Sequence, residues 1–208
     1  QLILFTLPIF LGSLLQQLYN VIDAVVAGRL IDANALSAIG VAIPIYLLLI
    51  SVIMGIAMGV MILLSQLYGA NQEDQLRRLF STMFIFLLLL VLLVGVAGAV
   101  SARPMLKLIK APNEILDQGT VYLQILFLGV PFTMLYNLVG AAMRSLGDSK
   151  KPLYALLISS VINLVFNLIF VSAGFGIAGI ALATIFAQAL SGIYLWKRMR
   201  KRFPVLAL

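Results

Sequence analysis

No cysteine and no histidine occur among the 208 residues. The first absence excludes a disulfide scaffold and thiolate chemistry. The second removes the commonest general base and the commonest metal ligand. Charge is scarce too. Only 10% of residues are Asp, Glu, Lys or Arg, against about 25% in an ordinary soluble domain. Hydrophobic residues make up 63%, above the usual range of about 45–50%. A water-soluble globule is excluded, and so is disorder, which needs high charge and low hydrophobicity. A net charge of +7 would suggest nucleic acid in a soluble chain. Here it reads as a record of membrane orientation, and no nucleic-acid partner is expected.

What is present is a series of long uncharged runs, at 1–22, 33–72, 79–102, 118–143 and 152–196. Crossing a hydrocarbon core takes about 20 apolar residues as a helix, and a helix satisfies its own backbone hydrogen bonds in lipid. Alternation at period two is absent, which argues against a β-barrel. The last run must hold two spans, with Ser172-Ala173-Gly174-Phe175-Gly176 as the turn between them. The run at 33–72 reads as one long helix entered through Asp32-Ala33-Asn34, bent or thinned by Pro44, Gly55 and Gly59. The expectation is an all-α polytopic membrane protein with six spans, near 2–28, 35–68, 77–102, 113–145, 152–171 and 177–197, the fourth kinked at Pro131.

Ten basic residues fall between spans 2 and 3, between spans 4 and 5, and in the tail, with Arg29, Arg103, Lys107 and Lys110 on the opposite side. The positive-inside rule places the ten, and both termini, in the cytoplasm. Trp196 stands before the basic tail as an interfacial anchor would. The tail's charges serve topology in this reading, with anionic headgroup binding as the alternative. Between spans 3 and 4, Met105, Leu106, Leu108 and Ile109 mix with Lys107 and Lys110, which suits a short interfacial helix. Pro112 is expected to start the fourth span. The chain opens without methionine, in an apolar run with no basic flank. That is unlike a signal peptide, and the chain is expected to begin a little way into a longer protein.

Of the seven acids, Asp23 alone lies within a span. A charge in hydrocarbon costs at least about 2.5–3.5 kcal/mol, so an intramembrane acid is a functional candidate. Gln16, Tyr19, Asn20 and Asp23 follow at i, i+3, i+4 and i+7, one polar stripe on the first helix. Further stripes are Ser160, Asn163 and Asn167 on the fifth span, Thr184, Gln188 and Ser191 on the sixth, and Tyr136, Asn137 and Gly140 on the fourth. At 1.5 Å per residue, Asp23, Asn163, Asn167 and Thr184 all fall about 6–12 Å below the outer surface. One carboxylate, two amides and a hydroxyl suit a small monovalent ion such as Na⁺, or a proton. Interhelical hydrogen bonding is the plainer alternative, favoured for Gln188 and Ser191 and left open for Asn163, Asn167 and Thr184. No basic residue is expected in mid-span, so a cationic or neutral amphipathic cargo matches the lone anion best. Met54, Met58, Met61, Met134 and Tyr136 are candidate cavity residues, as are Gln16, Asn20 and Asn137, with core or lipid packing an equal alternative for the methionines and Tyr136.

Several segments carry a family resemblance. Leu7-Pro8-Ile9, then Gln16 through Asp23, then Gly28-Arg29 resembles the first helix of the multidrug and toxic compound extrusion (MATE) family. Ala35-Leu36-Ser37-Ala38-Ile39-Gly40 with Pro44-Ile45 and Ser65-Gln66-Leu67-Tyr68-Gly69-Ala70 are similar to the two ends of its second helix. Arg144 through Pro152 and Gly176 through Thr184, with Gln188, resemble its loop before helix 5 and its helix 6. The resemblance covers essentially the whole chain. It implies one six-helix lobe of a twelve-helix transporter of the MOP superfamily, which expels organic cations in exchange for Na⁺ or H⁺ by alternating access. One mid-span carboxylate with no histidine and no cysteine argues against a membrane enzyme, and no cofactor beyond the coupling ion is expected. It places the ion at Asp23, Tyr19, Asn163, Asn167 and Thr184. Many relatives carry Asp at the position of Asn167, and its loss favours a proton-only cycle over strong Na⁺ binding. The partners implied are the bilayer, a small organic cation and a second lobe, since half a transporter cannot alternate access alone. That lobe is expected in further chain, with pairing of two copies the alternative. A lipid-linked saccharide flippase and a non-transporting scaffold remain as competing functions, and a bacterial inner membrane is the expected location.

Overall fold

The computed structural model describes residues 2–206, and within them all side chains except those of 2–9, 13, 16 and 18–20. Seven α-helices follow one another: α1 (Leu2–Leu30), α2 (Ala33–Gly69), α3 (Glu73–Leu108), α4 (Asn113–Leu128), α5 (Val130–Ser145), α6 (Lys150–Ser172) and α7 (Gly176–Arg202), closed by a 3-10 turn at Pro204–Leu206. No strand occurs among the described residues. α2, α3, α6 and α7 are each long and apolar enough to cross a bilayer, and α4 with α5 makes a further span if the pair is taken as one.

The helix boundaries have local causes. Asp32 caps α2, its Oδ1 accepting the Ala35 amide at 2.6 Å, which satisfies one of the four orphan donors of a helix start. α2 then runs unbroken through Pro44 for 37 residues. Glu73 and Asp74 open α3, where negative charge suits the helix dipole. The turn between α6 and α7 contains Gly174 at φ 87° and Gly176 at φ 53°, in the left-handed region that glycine enters without penalty.

Three expectations need correction. The span at 113–145 is two helices that meet at Gly129 with a bend of 49°. The break falls two residues before Pro131, which sits in the first turn of α5, where its missing N–H is one of the unsatisfied donors anyway. Seven helices occur among the described residues, and the expected six spans correspond to them if this bent pair is one kinked span. The short interfacial helix does not exist as a separate element: Arg103–Leu108 form the last turns of α3, which continues through Pro104. Pro112 precedes α4 as its N-cap residue instead of opening the helix.

The core is built by close approach of α3 to α4 and of α5 to α7. Phe127 of α4 is fully buried against α3, where Gly95 and Gly98 face it. A methyl group on Gly95 would stand 2.7 Å from the Phe127 carbonyl oxygen. Trp196 is half-buried and lies against Phe84 and Phe80, with ring centroids 5.0 and 6.3 Å away, so it contacts α3 from α7. The outward faces are apolar, with Leu48, Leu93, Val100 and Val161 among the most exposed side chains. Apolar side chains turned outward in this number are what a lipid solvent requires.

Candidate cation site and cavity

Asp23 reaches the interior because α1 lies along α6 and touches α7. It is 5% exposed, and Asn163 and Asn167 are fully buried. Asn163 and Asn167 are one turn apart on α6, so both amides face the same neighbour. The Asn167 Nδ2 donates to Asp23 Oδ1 at 2.6 Å and to Asn163 Oδ1 at 3.1 Å. Both hydrogens of that amide are then committed. The Asn163 Nδ2 donates to Thr184 Oγ1 at 3.3 Å. The Thr184 hydroxyl has two acceptors in reach, Asp23 Oδ2 at 3.2 Å and the Ile180 carbonyl at 3.1 Å. It holds one proton and can satisfy only one of them at a time.

The four side chains form a closed ring across three helices. Both hydrogen bonds to the Asp23 carboxyl among the described residues come from donors, one from α6 and one from α7. Asn167 Oδ1 is buried without a hydrogen-bond partner among the described residues. Such an oxygen beside a carboxylate is an unused ligand position, and hard oxygen donors suit a small monovalent cation. No cluster of three or more His, Cys, Asp or Glu occurs among the described residues, so a multi-carboxylate divalent site is not built here. The Tyr19 side chain lies outside the described residues, as do those of Gln16 and Asn20.

A second polar set joins α2, α5 and α7. Tyr46 Oη and Thr133 Oγ1 are 3.2 Å apart, and the Thr133 hydroxyl donates to Gln188 Oε1. Asn137 Nδ2 donates to the Thr133 carbonyl at 2.8 Å. Gln188 is thus an interhelical tie. Ser191, expected to make the same kind of tie, is instead buried with no hydrogen-bond partner for its Oγ among the described residues. Sequence reasoning missed Tyr46 and Thr133. Thr133 sits one turn before Asn137, a spacing that marks it as part of the same face.

A cleft of about 740 Å³ opens between α1, α2, α5 and α6, in the half of the bundle away from Asp23. Met54, Met58, Met61, Tyr136, Asn137 and Arg144 line it. Met134 does not. It is buried in the core. Asp23 is absent from the described lining, and the one charged side chain there is Arg144. Gly140 makes this possible: a Cβ there would meet the Arg144 Nη1 at 3.3 Å, so the guanidinium lies back along α5. Arg144 is at the end of its helix, yet its head is half-buried on the cavity wall. The expectation of a cavity without buried basic charge is corrected on this point. Helix position alone does not show which way a long side chain folds.

Four helices long and apolar enough to span, a fifth span if α4 and α5 are one, outward hydrophobic faces, a buried acid and a wide cleft define a multi-pass membrane protein. The profile of the MatE family matches residues 8–169, and the chain belongs to that family. It is 32% identical over 204 residues to the probable multidrug resistance protein YoeA of Bacillus subtilis, covering 96% of this chain and 44% of that protein. It is 36% identical over 198 residues to the probable multidrug resistance protein YpnP of the same organism, covering 93% and 44%. A protein named FAD transporter from Shewanella oneidensis is 26% identical over 199 residues, with 91% and 44% covered. A crystal structure of a MATE protein in complex with MaL6 superposes with a TM-score of 0.89 at 21% identity, covering 98% of this chain and 46% of that one. At that identity the likeness is of fold. The chain spans about 44% of the length of the curated relatives it matches.

Proposed function

We propose that this chain is one lobe of a secondary transporter that exports amphipathic organic compounds, organic cations foremost, in exchange for a cation carried at Asp23. The observation that carries this reading is the buried carboxylate held by α6 and α7 side chains, with an unpartnered amide oxygen beside it. An acid kept in hydrocarbon without a basic partner costs stability that an aliphatic residue would not. A travelling ion gives a reason to keep it. When Asp23 gains a proton, one donor contact to it becomes redundant, and the Thr184 hydroxyl can turn to the Ile180 carbonyl. The new O–H can then donate to Thr184 Oγ1, which reverses the hydrogen bond between α1 and α7 and removes its charge assistance without leaving a buried group unsatisfied. Na⁺ would instead use Asp23, Asn167 Oδ1 and Thr184, with Asn163 and Tyr19 completing the set.

The cargo would occupy the cleft lined by Met54, Met58, Tyr136 and Asn137, where flexible methionines accommodate varied shapes. The second six-helix lobe is needed for alternating access. Further chain supplies it in this reading, with pairing of two copies the alternative. The protein would sit in the bacterial inner membrane with both termini cytoplasmic. The test is dye efflux from cells carrying the complete transporter with Asp23→Asn, which should abolish transport above background. Collapsing the Na⁺ and proton gradients separately in proteoliposomes decides the coupling ion. Wild-type efflux by the variant would leave a scaffold role.

One observation favours a second reading. Arg144 gives the cleft a positive wall, and a relative is named an FAD transporter. A cargo bearing phosphate or carboxylate would pair with that guanidinium. Arg144→Gln separates the two readings: it should weaken export of an anionic dye and leave that of a cationic dye intact if the second holds.

A further inference from the structure

Away from the cleft and the Asp23 ring, a pocket of about 960 Å³ opens where α5 ends, α6 begins and α7 ends. Lys150 and Lys151 enter it from α6, and Arg198, Lys201 and Arg202 from α7. These five cations come from segments about fifty residues apart in sequence, and a single carboxylate, Asp148, joins them. That carboxylate is engaged, its Oδ1 accepting the Lys151 amide at 3.2 Å. None of the five cations has an ion-pair partner among the described residues. Charges present only to set topology would have no reason to converge on one cavity.

Three further features shape it. The 23-residue α6 begins at the pocket, so the positive end of its dipole adds to the field there. Tyr68, Tyr154 and Phe203 wall it, with Tyr68 and Phe203 edge to face at 6.4 Å. The chain beyond α7 turns back through Pro204–Leu206, and Leu206 is fully buried, which pins Lys201 and Arg202 in place. A phosphate fits such a set of donors. The source of that phosphate is indicated by what adjoins it. From Tyr154 an exposed apolar track runs up α6 through Leu157, Ile158, Val161 and Val165, at helical spacing on one face.

We propose that this pocket binds the phosphate headgroup of an anionic membrane phospholipid, whose acyl chains lie along the exposed face of α6. The site is independent of the transport reading. It requires only a bilayer around the helices.

The test uses the complete transporter purified in neutral detergent, with dioctanoyl-phosphatidylglycerol, dioctanoyl-phosphatidylcholine and inorganic phosphate titrated separately. Retained adducts are read by native mass spectrometry. Phosphatidylglycerol should bind at least about tenfold tighter than phosphatidylcholine, and R198A/K201A/R202A should weaken it about tenfold or more. The pair R77A/R78A, whose positions lie outside the pocket, should leave binding unchanged. If the triple variant does not purify as a folded species, Lys201→Gln alone should weaken binding about threefold. Undiminished phosphatidylglycerol binding by these variants overturns the proposal. So does equal loss with the control pair, which would mean diffuse surface charge. Equal affinity for inorganic phosphate would overturn the lipid assignment in favour of a free-anion site.

Discussion

Asp23 on α1 and Asn167 on α6 stand 144 residues apart in the chain, yet the amide of the second donates to the carboxylate of the first at 2.6 Å, and neither side chain has meaningful access to solvent. The contact ties the first helix to the lobe through one charge-assisted hydrogen bond. Such a bond contributes about 1.5–3 kcal/mol, against a burial cost for the charge of at least about 2.5–3.5 kcal/mol. The pair is thus no net gain for the fold.

Asp23→Asn should therefore leave the melting temperature in detergent unchanged or higher. The new amide can present its oxygen to Asn167 and keep the bond while removing the charge. A fall of more than a few degrees would mean that the carboxylate is chiefly structural.

Asn167→Asp would put a second carboxylate where the 2.6 Å contact now is. Two anions at that separation cannot both remain charged unless a cation or a proton lies between them. Adding NaCl should then raise the melting temperature of the variant well beyond any rise in wild type, with choline chloride as the ionic-strength control. An identical response of the two proteins would argue against an ion position beside Asn167.

Thr184→Val keeps the shape of the side chain and removes the hydroxyl that both Asp23 Oδ2 and the Ile180 carbonyl can accept. Coupled efflux by the complete transporter should drop about tenfold or more, given the strength of hydrogen bonds to charged groups. Thr184→Ser should restore most of it. Equal efflux by valine and threonine would remove the hydroxyl from the cycle.

Gly95→Ala tests the α3–α4 contact. The added methyl would stand 2.7 Å from the Phe127 carbonyl oxygen, which is backbone and cannot swing aside. Overpacking of this kind costs about 1–3 kcal/mol. Thermal unfolding should show the loss, and Gly55→Ala, where nothing stands within 4 Å of the new methyl, should show none.

Trp196 is the single tryptophan, so its fluorescence reports one contact. It lies on Phe84 at 5.0 Å. Phe84→Ala should move its emission to the red and increase quenching by iodide, since the ring loses its apolar cover.

Much of this was legible in the sequence. The uncharged runs marked the helices because a bilayer demands about 20 apolar residues per span, and one acid among them stood out because hydrocarbon penalises charge. Depth counting along straight helices put Asp23, Asn163, Asn167 and Thr184 at one level, and the structure brings those four side chains into one ring. The Gly174–Gly176 turn was legible for the same local reason, since only certain residues take positive φ cheaply.

Other features depended on contacts between distant segments. Pro131 drew attention to the right region, but the break fell at Gly129, where α4 and α5 meet at 49°. Whether α3 ended near Arg103 or ran on to Leu108 was not decided by composition, because amphipathic turns can continue a helix or begin a new one. Arg144 lies on a cavity wall because Gly140 leaves room one turn earlier, and the five cations around α6 and α7 share a pocket only once those helices are packed. Sequence by itself determined which segments are apolar enough for a membrane and which acid lies among them, since both follow from transfer energies along a single chain. Tertiary structure alone decided which side chains face one another, because that depends on helix rotation and crossing, which no one-dimensional pattern contains.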